Sequence, residues 1–433
     1  MAERIVVVGA GPAGLRSAER LRERGFGGEL IVVGEEPYRP YHRPGLIKPL
    51  LTGKMRPRDL RLPVLTELDA TWRYNTRASH LEPEEHVLHL PGGEEIPYDG
   101  LIIATGAQPR HLEGAPRHDP RVHVMRTVAD AMGLQKNLSR TRHPLVIIGG
   151  GFVACELASA ARAMGRDVTI IVRGPSLLRH VPGGDFSQTI SALHEANGVQ
   201  ILTKAWVHHW VPQPEGIAMH LNTGQVVFAG AVVLAVGSVP AVSWLRGSGL
   251  ILDDGIMCGP TCHAIGANDI VVAGDAARWP NLRFDSAPRR VEHWLNAVEM
   301  GRAAAENLLA GQQNARPYTP LPRFWTDQHG MRIQGAGSPA LAKDTILLTG
   351  PVEVSRRVTG YVAAGNLVGL IGWDTPPAML KWTKELEAQS TKAMRLRLAR
   401  RSPSRPAPRA DVTTQLPLAR LTPTYDELPP LRP

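Results

Sequence analysis

The chain is poor in cysteine, with three in 433 residues, at positions 155, 258 and 262. Three are too few for a disulfide framework. Cys155 falls just inside a helix and reads as a small residue packing that helix on its sheet. Cys258 and Cys262 flank GPT in IMCGPTCH without the second pair that a metal site would need, so both read as structural and no metal is expected. No run approaches the roughly 20 apolar residues that span a bilayer. The first strand begins within five residues of Met1, which leaves no room for a secretory signal ahead of the fold. The expected location is the cytoplasm, with no membrane contact. Acidic residues are also in the minority, 40 against 49 Lys and Arg, for a formal charge of +9. Part of the excess lies in MRLRLARRSPSRPAPR near the C-terminus. Nucleic acid, a membrane surface or an acidic protein would each suit a basic surface. No nucleic-acid motif accompanies the charge, which argues against that partner.

The composition that remains is that of a soluble globular protein, 43% hydrophobic and 21% charged. At this length two or three domains are expected. Residues 4–36 read strand, glycine turn, helix, strand: RIVVVGAGPAG, LRSAERLRERG, ELIVVGEE. From His143, PLVIIGGG, FVACELASAARAMG and DVTIIV repeat the layout, and AVVLAVGSVP echoes LIIATGAQP. The chain therefore holds two related units, each the start of a doubly wound parallel sheet. A strand in DIVVAGDAA and a helix in VEHWLNAVEMGRAAAENLLAG follow. DTILLTG, GYVAAG and LVGLIGW read as strands, a helix closes the ordered part, and the proline-rich stretch from Ser402 is expected to be a flexible tail.

Gly9, Gly11 and Gly14 fill G-x-G-x-x-G between a strand and a helix. The first glycine makes the turn, the second lets a pyrophosphate reach the backbone, and the third lets helix and strand pack closely. The free amides at the helix start favour phosphate. Glu35, at the end of the next strand, stands where a carboxylate would take the ribose hydroxyls of an adenosine. The second turn carries Gly149, Gly151 and, in third place, Ala154, with Gly237 in the echoing AVGSVP.

YHRPGLIK with Arg43 and Lys48, ATGAQPR with Thr105 and Gly106, AGDAA with Asp275, and VEHWLNA with Trp294 complete a set. Together with the two turns and FWTDQHGMRIQGAG, they resemble the glutathione-reductase-like flavoproteins. Within these, the likeness is to the ferredoxin reductase family that includes putidaredoxin reductase and the reductases of aromatic-ring dioxygenases. The resemblance runs to about residue 395. LIK stands where the family often has LSK, and HRPG where it has HRPP.

The resemblance implies two Rossmann-like nucleotide-binding domains and a C-terminal α+β interface domain. Residues 1–112 with 240–320 would bind FAD, 113–239 the nicotinamide nucleotide, and 321–400 would form the interface domain, with 401–433 as the tail. Gly9, Gly11, Ala13, Gly14 and Glu35 would hold the adenosine and pyrophosphate of FAD, Arg43 would lie near the diphosphate, and Ala78 and Arg126 would add contacts. Asp275 would meet the ribityl chain and Trp294 the pyrimidine end of the ring. Lys48 and Glu156 are expected as a pair at the flavin face, and Trp325 beside the flavin at the partner surface. Members that reduce disulfides carry cysteine in the loop after the first unit, and here none precedes Cys155.

The implied activity is transfer of electrons from NADPH or NADH through FAD to a small acidic iron-sulfur ferredoxin, which feeds a haem monooxygenase or a ring-hydroxylating dioxygenase. Rubredoxin reduction, NADH oxidation and redox sensing in the manner of apoptosis-inducing factor are the alternatives. For the nucleotide, no Asp or Glu occurs between Val168 and Gly184, and Val172 is followed by Arg173, with Arg179 and His180 close by. A guanidinium suits a 2′-phosphate better than a ribose hydroxyl, which favours NADPH.

Overall fold

The computed structural model describes residues 3–181, 183–350 and 356–401. By contacts the chain divides into Met1–Met394 and Arg395–Pro433. The tail expected from Ser402 lies outside the described residues.

Apolar runs such as IVVV and LIIA are too uniformly hydrophobic for a sheet with one wet face, and they form strands buried on both sides. The first sheet has the order Ile270–Val272, Gly100–Ile103, Arg4–Val8, Glu29–Val33, Thr71–Arg73, with every pair parallel. Ile5, Val6 and Val7 are fully buried. The second sheet repeats the arrangement with Val199–Thr203, Val168–Val172, Leu145–Ile148, Ala231–Leu234 and Val122–His123, again all parallel. In both sheets the strand entering the glycine turn is central.

Helix α1 (Pro12–Glu23) follows the first turn and α3 (Phe152–Ala163) the second, each with glycine at its N-cap. Between them α2 (Val128–Arg140) starts in a capping box: Asp130 N donates to Thr127 Oγ1 at 3.2 Å and Thr127 N returns a bond to Asp130 Oδ2 at 2.8 Å. Helix α4 (Gly184–Ala196) follows α3 in the second unit. The helix α5 (Trp294–Asn314) lies on α1 so closely that a Cβ on Gly301 would stand 2.4 Å from Ala13 O. Ser17 Oγ lies 2.9 Å from both Ala13 O and Gly301 O, covering the contact. VEH does not join α5, which begins at Trp294, and DIVVAGDAA gives a strand only over Ile270–Val272 before a short 3-10 turn, Gly274–Ala276.

A third sheet is antiparallel, in the order Arg323–Gln328, Met331–Gly337, Asn366–Trp373, Arg357–Ala363, Asp344–Thr349. It ends in α6 (Pro376–Arg401). The fold is thus mixed α/β, with two parallel nucleotide-binding-type sheets and an α+β C-terminal part.

Candidate active site

The two turns are built alike. Gly9 has φ +121° and a Cβ there would stand 2.2 Å from Ala104 O, while Gly149 has φ +127° and the corresponding distance to Ala235 O is 2.1 Å. Only glycine fits either position. Gly14 backs onto the turn, since its Cβ would fall 1.8 Å from Gly9 O. Ala154, the third-position residue of the second turn, is fully buried. Over Gly11 nothing comes within 4 Å of a built Cβ. The start of α1 therefore faces open space.

That space is a cavity of about 680 Å³. Of the residues expected to bind FAD, Gly9, Gly11, Ala13, Glu35, Arg43, Ala78, Thr105, Gly106, Arg126, Asp275 and Trp294 line it. Arg126 and Asp275, read as separate contacts, form one ion pair at 2.7 Å. Burial lifts the Asp275 carboxyl above its ordinary range, and Arg126 opposes that. The capping box of α2 places Arg126, whose N donates to Asp130 Oδ2 at 3.1 Å. Arg43 donates to Glu36 Oε1 at 2.5 Å and to Arg126 O at 2.7 Å. Glu35 is exposed at the rim, 3.7 Å from Arg77. Sequence reading missed Glu36, which also accepts from Tyr41 Oη at 2.7 Å; adjacent glutamates look alike until a strand end decides which one turns inward.

Thr105 Oγ1, Arg126 Nε, Trp244 Nε1 and His293 Nδ1 are buried at this cavity and have no partner in the protein. Native structures rarely leave such groups unpaired. A phosphate-bearing, hydroxyl-rich ligand such as FAD fits both the open helix start and these four atoms. His293 went unnoticed in the sequence. Burial pushes its pKa down to about 4, so its ring is neutral.

The residues expected at the flavin face do not form the expected pair. Lys48 and Glu156 make no ion-pair contact; consecutive residues of strand Arg323–Gln328 take them instead. Lys48 Nζ donates to Asp327 O, and Thr326 Oγ1 donates to Glu156 Oε1 at 2.6 Å. Each partner is neutral and close at hand, which avoids the cost of bringing two half-buried charges together. Burial lowers the Lys48 pKa and raises that of Glu156, and each group acts on the other through longer-range charge. Trp325 is half-buried and does not line the cavity. Its neighbour Phe324 touches the wall, with its ring centroid 5.4 Å from that of His293 and 5.2 Å from that of Phe152 at the start of α3. Gly335 pairs with Phe324 across the sheet, and a Cβ there would lie 2.0 Å from the Phe324 ring.

At the second turn Val172 is buried against Gly150, so no side chain there reaches outward. Arg173 is exposed, with its guanidinium 5.8 Å from the centre of the Trp206 ring. Arg179 folds over Gly174, where a Cβ would stand 2.9 Å from its Cδ. Gly237 has φ +96° and open space around it.

Two dinucleotide-type turns on twin parallel sheets, one opening on a cavity lined with stranded polar groups, define an oxidoreductase that works with two nucleotides. The family described as pyridine nucleotide-disulphide oxidoreductase matches residues 3–301, and the chain belongs to it. Rhodocoxin reductase of Rhodococcus erythropolis is 32% identical over 81% of each chain. The benzene 1,2-dioxygenase system ferredoxin–NAD(+) reductase subunit of Pseudomonas putida is 29% identical over 90% of this chain and 93% of that protein. Among solved structures, the reductase of the covalent putidaredoxin reductase–putidaredoxin complex superimposes with a TM-score of 0.84, 25% identity and coverage of 89% and 93%. The ferredoxin reductase for the CYP199A2 system from Rhodopseudomonas palustris gives 0.81, 26%, and 87% and 93%.

Proposed function

We propose that the protein is an FAD-dependent NAD(P)H:ferredoxin oxidoreductase, taking electrons from a nicotinamide nucleotide and giving them to a small acidic iron-sulfur ferredoxin that serves an oxygenase. The carrying observation is the cavity at the first turn, where Thr105, Arg126, Trp244 and His293 present buried polar atoms without protein partners. The relatives named above, reductases of ferredoxin-type systems, support the choice of acceptor. FAD, when bound, supplies the exchange between a two-electron donor and one-electron acceptors.

The chain's own residues supply the rest. The N-terminus of α1 with Gly9 and Gly11 offers amides to the pyrophosphate, and Glu35 stands at the rim for the ribose. The Arg126–Asp275 pair presents charge and hydrogen-bonding capacity in the cavity wall, to which Trp294 and His293 add their rings. Membership of the first sheet supports residues 1–112 with 240–320 as the FAD-binding part, and membership of the second supports 113–239 as the nicotinamide part. The antiparallel sheet supports 321–400 as an interface domain. At the second site Arg173 and Arg179, with Val172 in place of a carboxylate, support NADPH as the preferred donor.

Reduction of disulfides does not fit. All three cysteines are free and buried, and burial pushes the thiols of Cys155 and Cys258 up to about 12 and that of Cys262 well above its ordinary range; such thiols are poor nucleophiles. No helix among the described residues is long and apolar enough to cross a membrane, and a cytoplasmic location belongs to the same reading. The test is steady-state turnover with a panel of ferredoxins and both nicotinamides, after the bound flavin has been identified. FAD release and ferredoxin reduction are expected; FMN, or flavin reoxidation that ignores the ferredoxin, would reject the assignment.

A further inference from the structure

Outside the residues that line the cavity, a line of hydrogen-bonded side chains runs from Glu156. Thr326 Oγ1 donates to Glu156 Oε1 at 2.6 Å, and Gln328 Nε2 donates to Thr326 Oγ1 at 3.1 Å. His194 Nε2 meets Gln328 Oε1 at 3.0 Å, and His329 Nε2 meets His194 Nδ1 at 3.0 Å. Thr326, Gln328 and His194 are buried, and His329 is the partly exposed end, its backbone N fixed by a 2.7 Å bond to Ser159 Oγ. The line joins α3, α4 and the C-terminal sheet. Buried polar side chains are costly unless each is satisfied, and every interior member here both gives and takes a bond.

The chain has two self-consistent sets of protons. With Glu156 ionised, both imidazoles carry hydrogen on Nε2, and every bond points toward the carboxylate. With Glu156 protonated, the acid donates to Thr326, the hydroxyl to the Gln328 oxygen after an amide flip, the amide to His194 Nε2, and His194 Nδ1–H to His329. The two sets differ by one proton. It enters or leaves at His329 Nδ1 and is held at Glu156, and every nitrogen and oxygen along the line keeps a partner in both sets.

The reaction needs such an outlet. Oxidation of one NAD(P)H by two one-electron acceptors gives NAD(P)+, two reduced acceptors and one proton. Resting on the functional reading above, we propose that Thr326, Gln328, His194 and His329 are positioning residues that form a reversible proton relay, through which Glu156 discharges to solvent the proton released in each turnover. Burial raises the Glu156 pKa and lowers those of His194 and His329. Burial thus favours the neutral form of all three groups. The other groups acting on the ends are Lys48 and Asp327 at Glu156, which itself acts on the Cys155 thiol, and Lys48 and Arg162 at His329, with Asp327 and Arg332 acting on Lys48.

Thr326→Val cuts the line at the carboxylate, and Gln328→Leu cuts it one link away without touching Glu156. The flavin-loaded proteins are compared by infrared titration of the Glu156 carboxyl, assigned with Glu156→Gln, and by the solvent deuterium effect on ferredoxin turnover. Both variants are expected to shift the Glu156 protonation curve by a pH unit or more and to raise the isotope effect at least twofold, with nicotinamide Kd unchanged. The double variant is expected to behave no worse than the more affected single one. Unchanged titration and isotope effect in both variants, or effects that multiply in the double one, would overturn the relay. Should Gln328→Leu fail to fold, Thr326→Val, which keeps the volume, decides the matter by the same two measurements. A wild type that reduces no ferredoxin overturns the functional reading instead, and the infrared titration, which needs no turnover, still tests the chain of bonds.

Discussion

Arg173 follows a buried valine at the end of its strand and lies exposed beside Trp206. A charge-assisted bond to a 2′-phosphate contributes about 1.5–3 kcal/mol, about a tenfold to hundredfold preference. kcat/KM is therefore expected to be higher with NADPH than with NADH, and Arg173→Glu to level or reverse the order; a wild type that favours NADH tenfold would reject this use of Arg173. Trp325, half-buried on the strand that holds Phe324 against the cavity wall, is expected to serve the protein acceptor. Trp325→Ala should slow ferredoxin reduction far more than ferricyanide reduction, and equal losses would assign it to the core. His293 gives the pH response its sign. Its folded pKa, about 4, lies below the ordinary 6.5, so the stability it contributes is present above pH 6.5 and is lost as pH falls toward 4, by up to about 3 kcal/mol. His293→Phe should narrow the difference in Tm between pH 7 and pH 5. At this scale the glycines, Arg126 and Asp275 were legible because a turn or a motif demands them. Glu36 and His293 were not, because burial rather than type makes them important.

The elements were the most legible part of the chain. Period-free apolar runs gave the parallel strands, and the two runs that end in Gly9 and Gly149 gave turns whose first residue has positive φ. Gly9→Ala is expected to abolish FAD retention and to lower Tm by several degrees, because the new methyl group meets Ala104 O with no side chain able to move away; flavin content after gel filtration measures it. Ala154 poses the opposite case. It carries a Cβ where the first turn has none and is fully buried, and its helix begins at a glycine N-cap like that of α1. What the sequence concealed was pairing between elements. The expected Lys48–Glu156 pair yielded to Asp327 O and the Thr326 hydroxyl because a strand distant in sequence arrives beside both, and no local pattern announces an arrival of that kind.

Across the whole molecule the duplication was visible in the repeated layout, and the two parallel sheets have the same central-strand order. The third sheet was read only as a series of strands, since antiparallel order depends on long-range partners. The excess of positive charge, +9 overall, bears on association. Turnover with an acidic ferredoxin should fall as salt rises, since screening beyond about 10 Å at 0.1 M removes the steering that speeds encounter; a rate flat across ionic strength would reject it. Phe324 bears on how the parts fit together. Its ring occupies the place that a methyl group on Gly335 would fill, and from there it touches both His293 at the first nucleotide site and Phe152 at the second. The spacing between the two sites is thus gauged by an omitted atom on a strand that belongs to neither. A single added carbon at Gly335 would act as a shim, driving the ring toward the cavity and letting a change in the C-terminal sheet be felt at both nucleotides at once.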